Sequence, residues 1–207
     1  MNMKDWSALA TDEIITKTIE SLKASGINAI VVENGEEAKK KVFEMIPQNR
    51  EVMSMSSLTI DALGISKEIQ ESGKYNSVKN ELSKMNRKTQ GLEMQRLGTA
   101  PEYAVGSVHA VTEDGKIIIA SNTGSQLPSY AYGASHVIWV VGTQKIVANL
   151  DEAMKRIYEY ILPLESERIN KVFNITRGSN VSKILTINKE IRPDRLTVIF
   201  VKEILGF

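Results

Sequence analysis

The sequence predicts an α/β fold with a mostly parallel sheet, and three observations support this prediction. Apolar residues at helical spacing between Ile14 and Leu22 indicate an amphipathic first helix. The β-branched run 27–32 follows, and residues 38–46 then trace a second helix that Pro47 ends. Helices and strands that alternate in this way are typical of α/β proteins.

Later apolar runs continue this alternation. Short runs at 51–55 and 196–202 are predicted strands, and 136–141 (HVIWVV) is expected at the centre of the sheet because it is β-branched and aromatic. Residues 62–98 are polar with a helical period, which predicts short helices with solvated faces. A clear helix is predicted to start at Asn149 or Asp151 and to stop near Pro163, and residues 164–169 are expected to continue as another turn or two.

The stretch 103–147 is the predicted core and the predicted site, because three apolar runs there surround two polar loops. Asp114-Gly115 separates the apolar runs 103–110 and 116–120, which predicts one β-hairpin. The hairpin interrupts the parallel order of the sheet.

Composition excludes several classes of function. A chain of 207 residues, 42% of them hydrophobic, is long enough for one ample core, so residues 1–207 are expected to form a single domain that includes 1–50. A net charge of +1 gives no global reason to expect nucleic-acid binding. The absence of cysteine excludes disulfides, thiolate catalysis and cysteine-ligated metal centres in this chain. No apolar run approaches ~18 residues, which predicts no membrane segment and a cytoplasmic protein.

Polar side chains in and beside the stretch 103–147 are the candidate site residues. Helices that start after parallel strands can bind anions, so the hydroxyls after the strand 51–55 are either anion ligands or simple helix caps. Ser107 and His109 are two residues apart, so on one strand their side chains would share a face. The predicted catalytic residues are His109, Glu113 and Asp114. The predicted ligand-binding residues are Ser56, Ser57, Thr59, Ser107, Asn122, Thr123, Gly124, Ser125 and Gln126.

Each candidate also has a structural interpretation, which the residues leave open. A lone histidine in a strand is often a structural residue, and this applies to His109 and more firmly to His136. The two histidines lack HxH or HExxH spacing, so no metal site is predicted. The loop 122–126 carries no GxGxxG or Walker pattern, and the sequence therefore names no cofactor.

Several segments together resemble the LUD-domain family, which includes lactate utilization protein C. They are GSVHAVTEDG, SNTGSQ, YGASHVIWVVGTQKIVANLDEAMKRI and the final RLTVIFVKEILGF, in family order from about Met53 onward. The resemblance implies a NagB/RpiA/CoA-transferase-like fold, in which a Rossmann-like, mostly parallel sheet has helices on both faces. It also implies that the loops 54–59, 106–109 and 122–126 face a ligand pocket.

The function that the resemblance implies is a role in bacterial lactate or organic-acid utilization, with a small anionic metabolite as ligand and iron–sulfur proteins as partners. Two alternatives remain open: a non-catalytic module that binds a metabolite or a partner protein, and a sugar-phosphate isomerase or folate-ligase-like enzyme of the same superfamily. A homodimer is compatible with the family type, because alternating α/β domains of this size often pair through exposed helices. No membrane or nucleic-acid partner is expected.

The sequence departs from similar chains at two places. Gln126 stands where many of them have an arginine that can hold an anion. Residues 174–180 stand where many of them have several cysteines, so this chain ligates no cluster there.

Overall fold

A computed structural model describes residues 4–207, which form helices, two sheets and short irregular turns. The helices are α1 (Asp12–Ala24), α2 (Gly35–Met45), α3 (Leu58–Ala62), α4 (Ile65–Glu71), α5 (Val78–Lys84), α6 (Gly91–Thr99), α7 (Leu150–Lys155) and α8 (Leu162–Phe173). The strands are β1 (Asn28–Val32), β2 (Glu51–Ser54), β3 (Asn76–Ser77), β4 (Tyr103–Gly106), β5 (Ala110–Thr112), β6 (Ile117–Ser121), β7 (His136–Gly142), β8 (Ile146–Val147), β9 (Lys183–Ile187) and β10 (Leu196–Val201). Ser129–Gly133 and Arg156–Ile161 are π-helical, and Thr143–Lys145 is a turn of 3-10 helix.

The main sheet confirms the predicted α/β class. Its order is β1-β10-β7-β4-β2-β3, and every neighbouring pair is parallel. The strand β7 lies between β10 and β4 in the middle of this sheet, as its composition predicted. Because β1 pairs with β10, the N-terminal helix-strand-helix segment shares a sheet with the C-terminal strand.

A second sheet, of order β8-β5-β6-β9, contains the predicted hairpin. The strands β5 and β6 are antiparallel and are joined through the turn at Asp114-Gly115. The strand β9 (Lys183–Ile187) was not predicted, since this short and partly exposed segment gains its ladder only by pairing with β6.

The prediction of one strand over 103–110 was wrong. The chain leaves the main sheet after Gly106 and enters the second sheet at Ala110, so Ser107, Val108 and His109 cross between two sheets. Period-2 alternation therefore does not relate the side chains of Ser107 and His109. The crossing residues instead place polar groups between the sheets.

Alternate residues of the main sheet supply two cores. Trp139 and Phe200 lie on one face and pack with α1 and the second sheet, whereas Val140 and Ile199 face the core formed with α2, α3 and α4. A third core lies between the second sheet and the helix that contains Ile157. The second sheet is thus buried between the main sheet and the helix 150–173.

The helix that begins at Leu150 runs through Pro163 without a stop, and the turn or two predicted over 164–169 are part of it. The side chain of Asn149 caps it by accepting from the amide of Glu152, as predicted for its start. The π-helical turns of Arg156–Ile161 lie just before Pro163, where the proline has no amide to donate. A π segment alters the hydrogen-bond register, and so the helix proceeds to Phe173. Within residues 4–207, none of the helices has the length and apolarity needed to cross a membrane.

Candidate functional site

Polar groups converge at the carboxyl ends of the main sheet's central strands. Ser107 directly follows β4, Lys145 lies in the 3-10 turn that follows β7, and Thr59 belongs to α3, which follows β2. Leu205 lies in the segment after β10. Open parallel sheets bind ligands at this edge because loops from several strands meet there.

Lys145 is the centre of this cluster. Its side chain reaches inward so that the residue is only 2% exposed. The Nζ atom donates to Thr59 Oγ1 and to Ser107 Oγ, each at 3.2 Å. A lysine is rarely buried without an acidic partner, because removing an ammonium group from water is costly.

Arg156 is the second buried cation, with 0% exposure. Its Nη1 donates to the backbone carbonyl of His109 at 3.0 Å, and its guanidinium lies 5.3 Å from the ring centre of Tyr160. Its Nε and Nη2 are buried without a hydrogen-bond partner within residues 4–207. A guanidinium with two free donors can bind a carboxylate in a bidentate manner.

The electrostatic environment of these groups is positive and not compensated. In the described part of the chain, neither Lys145 nor Arg156 forms an ion pair with a carboxylate. Burial, and then the charge of Arg156, lower the pKa of Lys145 to about 7. Burial also lowers the pKa of Arg156 to about 10. An anion that entered the site would relieve both penalties.

His109 lies beside the two cations and is partly buried. Its Nδ1 accepts from the amide of Ala120 at 3.2 Å, so this nitrogen carries no proton. Burial and the charges of Lys145 and Arg156 lower the pKa of His109 to about 3. The ring is therefore neutral at ordinary pH, and the carbonyl of His109 is the group that positions Arg156.

The segment after β10 covers the cluster. The carbonyl of Leu205 accepts from Thr59 Oγ1 and from Gln144 Nε2, each at 3.1 Å. Glu203 Oε2 accepts from the amide of Gly35 at 3.1 Å. A β-carbon at Gly206 would lie 2.8 Å from Thr59 Oγ1 and 3.6 Å from Lys145 Nζ, so this residue passes directly over the site.

The predicted carboxylates lie elsewhere. Glu113 Oε2 pairs with Lys17 Nζ at 2.8 Å, and Asp114 pairs with Lys116 and Thr112 inside the hairpin turn. These contacts stabilise the hairpin turn. Neither carboxylate is a hydrogen-bond partner of the His109 ring, which accepts from the amide of Ala120. The arrangement gives the predicted acid–base pair no geometric support.

The hydroxyls after β2 divide into two kinds. Ser57 occupies the N-cap position of α3 but makes no capping hydrogen bond through its side chain, and Ser56 is exposed. Thr59 is buried and contacts Lys145. The helix α3 has only five residues, so the hydroxyl of Thr59 is its contribution to the site.

The loop 122–126 is held mainly by its own contacts. Gln126 Oε1 accepts from Ser121 Oγ at 2.9 Å, Thr123 Oγ1 donates to Ser125 Oγ at 3.1 Å, and Lys183 Nζ donates to the carbonyl of Thr123 at 3.1 Å. Gly124 has a φ of +85°, in the left-handed region that favours glycine. None of these hydrogen bonds reaches Lys145 or Arg156.

Two surface cavities lie away from the buried cations. One of about 460 Å³ is lined by Asn122, Phe173 and Arg177, and one of about 470 Å³ at the amino ends of the strands is lined by Tyr103 and His136. The His136 ring stacks on Tyr103 with ring centres 4.7 Å apart, in agreement with its structural interpretation. Residues 4–207 contain no cluster of three or more acidic or histidine side chains that could hold a metal.

Sequence reasoning missed Lys145 and Arg156, although both left a signal. Lys145 interrupts an otherwise uncharged run directly after the predicted central strand. Arg156 lies three residues after Ala153 and one before Ile157, on the apolar face of its helix. A charged residue at a core-facing position is the pattern that could have identified each of them.

Comparison with known proteins relates the chain to one family. Residues 15–201 match the model of the LUD domain. The crystal structure of a DUF162 family protein from Deinococcus radiodurans is similar, with a TM-score of 0.59 and 12% sequence identity over 94% of this chain and 99% of that chain. At this identity the likeness shows the fold alone. No curated protein matches the chain. Because the family model spans most of the sequence, the chain belongs to the LUD domain family.

Proposed function

We propose that this protein binds a small organic anion at the Lys145–Arg156 site. One observation carries the proposal: two buried cations lie at the ligand-binding edge of a parallel sheet, and no carboxylate of the described chain neutralises them. A buried charge is costly unless it is paired. Within residues 4–207 the Nε and Nη2 of Arg156 have no hydrogen-bond partner, and a carboxylate or a similar anion could accept from both.

The proposed ligand class is a small metabolite such as lactate or a related organic acid. The hydroxyls of Thr59 and Ser107 add neutral polar groups beside Lys145, which suits a short hydroxy or oxo acid better than an apolar molecule. Membership of the LUD domain family and the resemblance to lactate utilization protein C support a role in lactate or organic-acid utilization. Iron–sulfur partner proteins remain part of this proposal.

Entry of the ligand requires movement of the segment 203–207. Hydrogen bonds of Leu205 and Glu203 hold this segment in place, and Gly206 lies above Lys145. An anion that pairs with Lys145 and Arg156 would compensate for the contacts that the segment loses. The proposal therefore includes an open state in which residues 203–207 leave Thr59.

A thermal-unfolding titration tests the proposal. Lactate, pyruvate and inorganic phosphate are added at constant ionic strength, and the free energy of unfolding should rise by ~2.7 kcal/mol when the ligand reaches ~100 times its Kd. Lys145→Met should abolish the response, because it removes the charge and keeps the length of the side chain. Lys155→Met, at an exposed position ten residues further on, is the matched control and should respond like the wild type.

Two results would contradict this function. One is an identical response of wild type and Lys145→Met, which would place the anion elsewhere. The other is no response to any anion, which would favour a partner-binding module. Val172 and Phe173 would then be the first surface to test, because they are 62% and 65% exposed and Phe173 lines the cavity at Arg177.

A further inference from the structure

The hydrogen bonds of Lys145 suit a neutral amine. Thr59 Oγ1 gives its own proton to the carbonyl of Leu205, so it can only accept from Lys145 Nζ. Ser107 Oγ can either accept from the Nζ or donate to it. A neutral amine can give one proton to Thr59 and receive the hydroxyl of Ser107 on its lone pair, so these two hydroxyl partners do not require the charged form, as a carboxylate partner would.

The surroundings of the amine also favour its neutral form. Burial comes first, and the charge of Arg156 second, among the causes that bring the pKa of Lys145 to about 7. A substantial fraction of this side chain is therefore a free amine near neutral pH. Desolvation and a neighbouring cation are the means by which proteins activate lysine as a nucleophile toward carbonyl carbons.

Lys145 and Arg156 are anchored to neighbouring residues of the chain. Lys145 contacts Ser107 and Arg156 contacts the carbonyl of His109, and these two anchoring residues are two positions apart in the chain. Two residues of extended chain span at most ~7 Å. A molecule of a few carbon atoms could present a carboxylate to Arg156 and a carbonyl carbon to Lys145.

From this geometry we infer that Lys145 forms an imine with a small 2-oxo acid whose carboxylate is held by Arg156. The inference rests on the proposed anion site and adds a covalent step to it. It identifies the ligand class as acids with a carbonyl next to the carboxylate.

The step balances without an oxidant or a reductant. The lone pair of Nζ attacks the carbonyl carbon, a C–N bond forms, and the carbonyl π electrons move to oxygen. The oxygen takes a proton that Nζ loses, for which the Ser107 hydroxyl is the nearest relay. Loss of the second N–H proton and of the hydroxyl group releases one water and leaves a C=N bond, which hydrolysis reverses.

Reductive trapping tests the imine. The full-length protein is incubated with pyruvate and sodium cyanoborohydride, and intact mass spectrometry should show one adduct of pyruvate less water plus two hydrogens. Peptide mapping should locate it on Lys145. Lactate has the same carboxylate without a carbonyl, so it should give no adduct and should slow the trapping of pyruvate by competition.

Variants separate this inference from the proposed function. Lys145→Met should lose the adduct, Arg156→Met should form it many-fold more slowly, and Lys155→Met should behave like the wild type. Stabilisation by lactate and pyruvate without any adduct would overturn the imine and leave the anion site intact. Failure of every anion to bind would overturn the proposed function itself.

Folding of the variants does not decide the outcome, because the wild-type protein alone can contradict the inference. An adduct that maps to other lysines, or to many of them, would overturn it. So would trapping that proceeds equally fast with propanal, which has a carbonyl but no carboxylate for Arg156.

Discussion

Two buried arginines lie at opposite edges of the main sheet, and they differ in how their donors are used. Arg195, at the amino end of β10, pairs with Glu190 at 2.6 Å and donates to the carbonyls of Ala134, Ser129 and Tyr130 at 2.9 to 3.0 Å. Arg156, near the carboxyl ends, donates to one carbonyl, and its Nε and Nη2 have no partner among residues 4–207. A buried charge whose donors are satisfied needs no further partner, whereas buried donors without a partner call for an explanation such as a ligand.

The same contrast applies to the histidines. His136 stacks on Tyr103 at the amino-end edge and lies near the carbonyl of Asp194. His109 lies between the sheets, where Lys145 and Arg156 depress its pKa. The two histidines thus have different roles because they lie at different edges of the sheet. The buried arginine at the amino-end edge has a carboxylate partner, whereas in the described chain the buried cations at the other edge have none.

The largest expected effect is on stability at Arg195. Arg195→Met should lower the free energy of unfolding by ~3–5 kcal/mol, because it leaves Glu190 buried without its partner and removes donors from three carbonyls. Arg156→Met should lower the free energy of unfolding by ~1–3 kcal/mol at most. It leaves the carbonyl of His109 without its donor, but it also removes an unpaired buried charge, which offsets this loss. Urea unfolding measures the stability of both variants. A larger loss for Arg156→Met than for Arg195→Met would contradict the different roles assigned to the two arginines.

The pH dependence of stability should report the buried amine. The pKa of Lys145 is about 7 when folded and 10.5 in its ordinary state, so the unfolded chain binds more protons between these values. Stability should therefore rise with pH above 7, by up to ~1.4 kcal/mol per pH unit. The pKa of His109, about 3, lies below this range, and the pKa of Arg156, about 10, lies at its upper end.

Urea unfolding of wild type and Lys145→Met between pH 6 and 9.5 measures this contribution. The difference in free energy between the two proteins should grow as the pH rises, and Lys155→Met should follow the wild type. A constant difference would mean that Lys145 keeps its ordinary pKa, which would weaken the case for a free amine.

The smallest effect is expected at Glu113. It forms a partly exposed ion pair with Lys17, and such pairs contribute ~0–1 kcal/mol. Glu113→Gln should change stability within this range and leave the anion response unchanged. If the variant instead lost pyruvate trapping, the originally predicted acid–base role of this residue would regain support.

The sequence predicted the parts of this fold that depend on local chemistry. Hydrophobic periodicity located α1, α2 and the central strand β7, and Asp114-Gly115 located the hairpin, because side-chain pattern and turn chemistry act over a few residues. It did not predict the crossing at 107–109 or β9. Those depend on pairing with distant strands, which the local sequence does not encode.

The candidate site divides in the same way. The sequence by itself selected Thr59, Ser107 and His109 as candidate site residues and determined that no cysteine chemistry operates in this chain. Only the tertiary structure decided that Lys145 and Arg156 are buried beside them and that Glu113 is not. The reason is physical: the cost of burying a charge depends on which groups the folded chain brings near it, and those groups come from strands far apart in sequence.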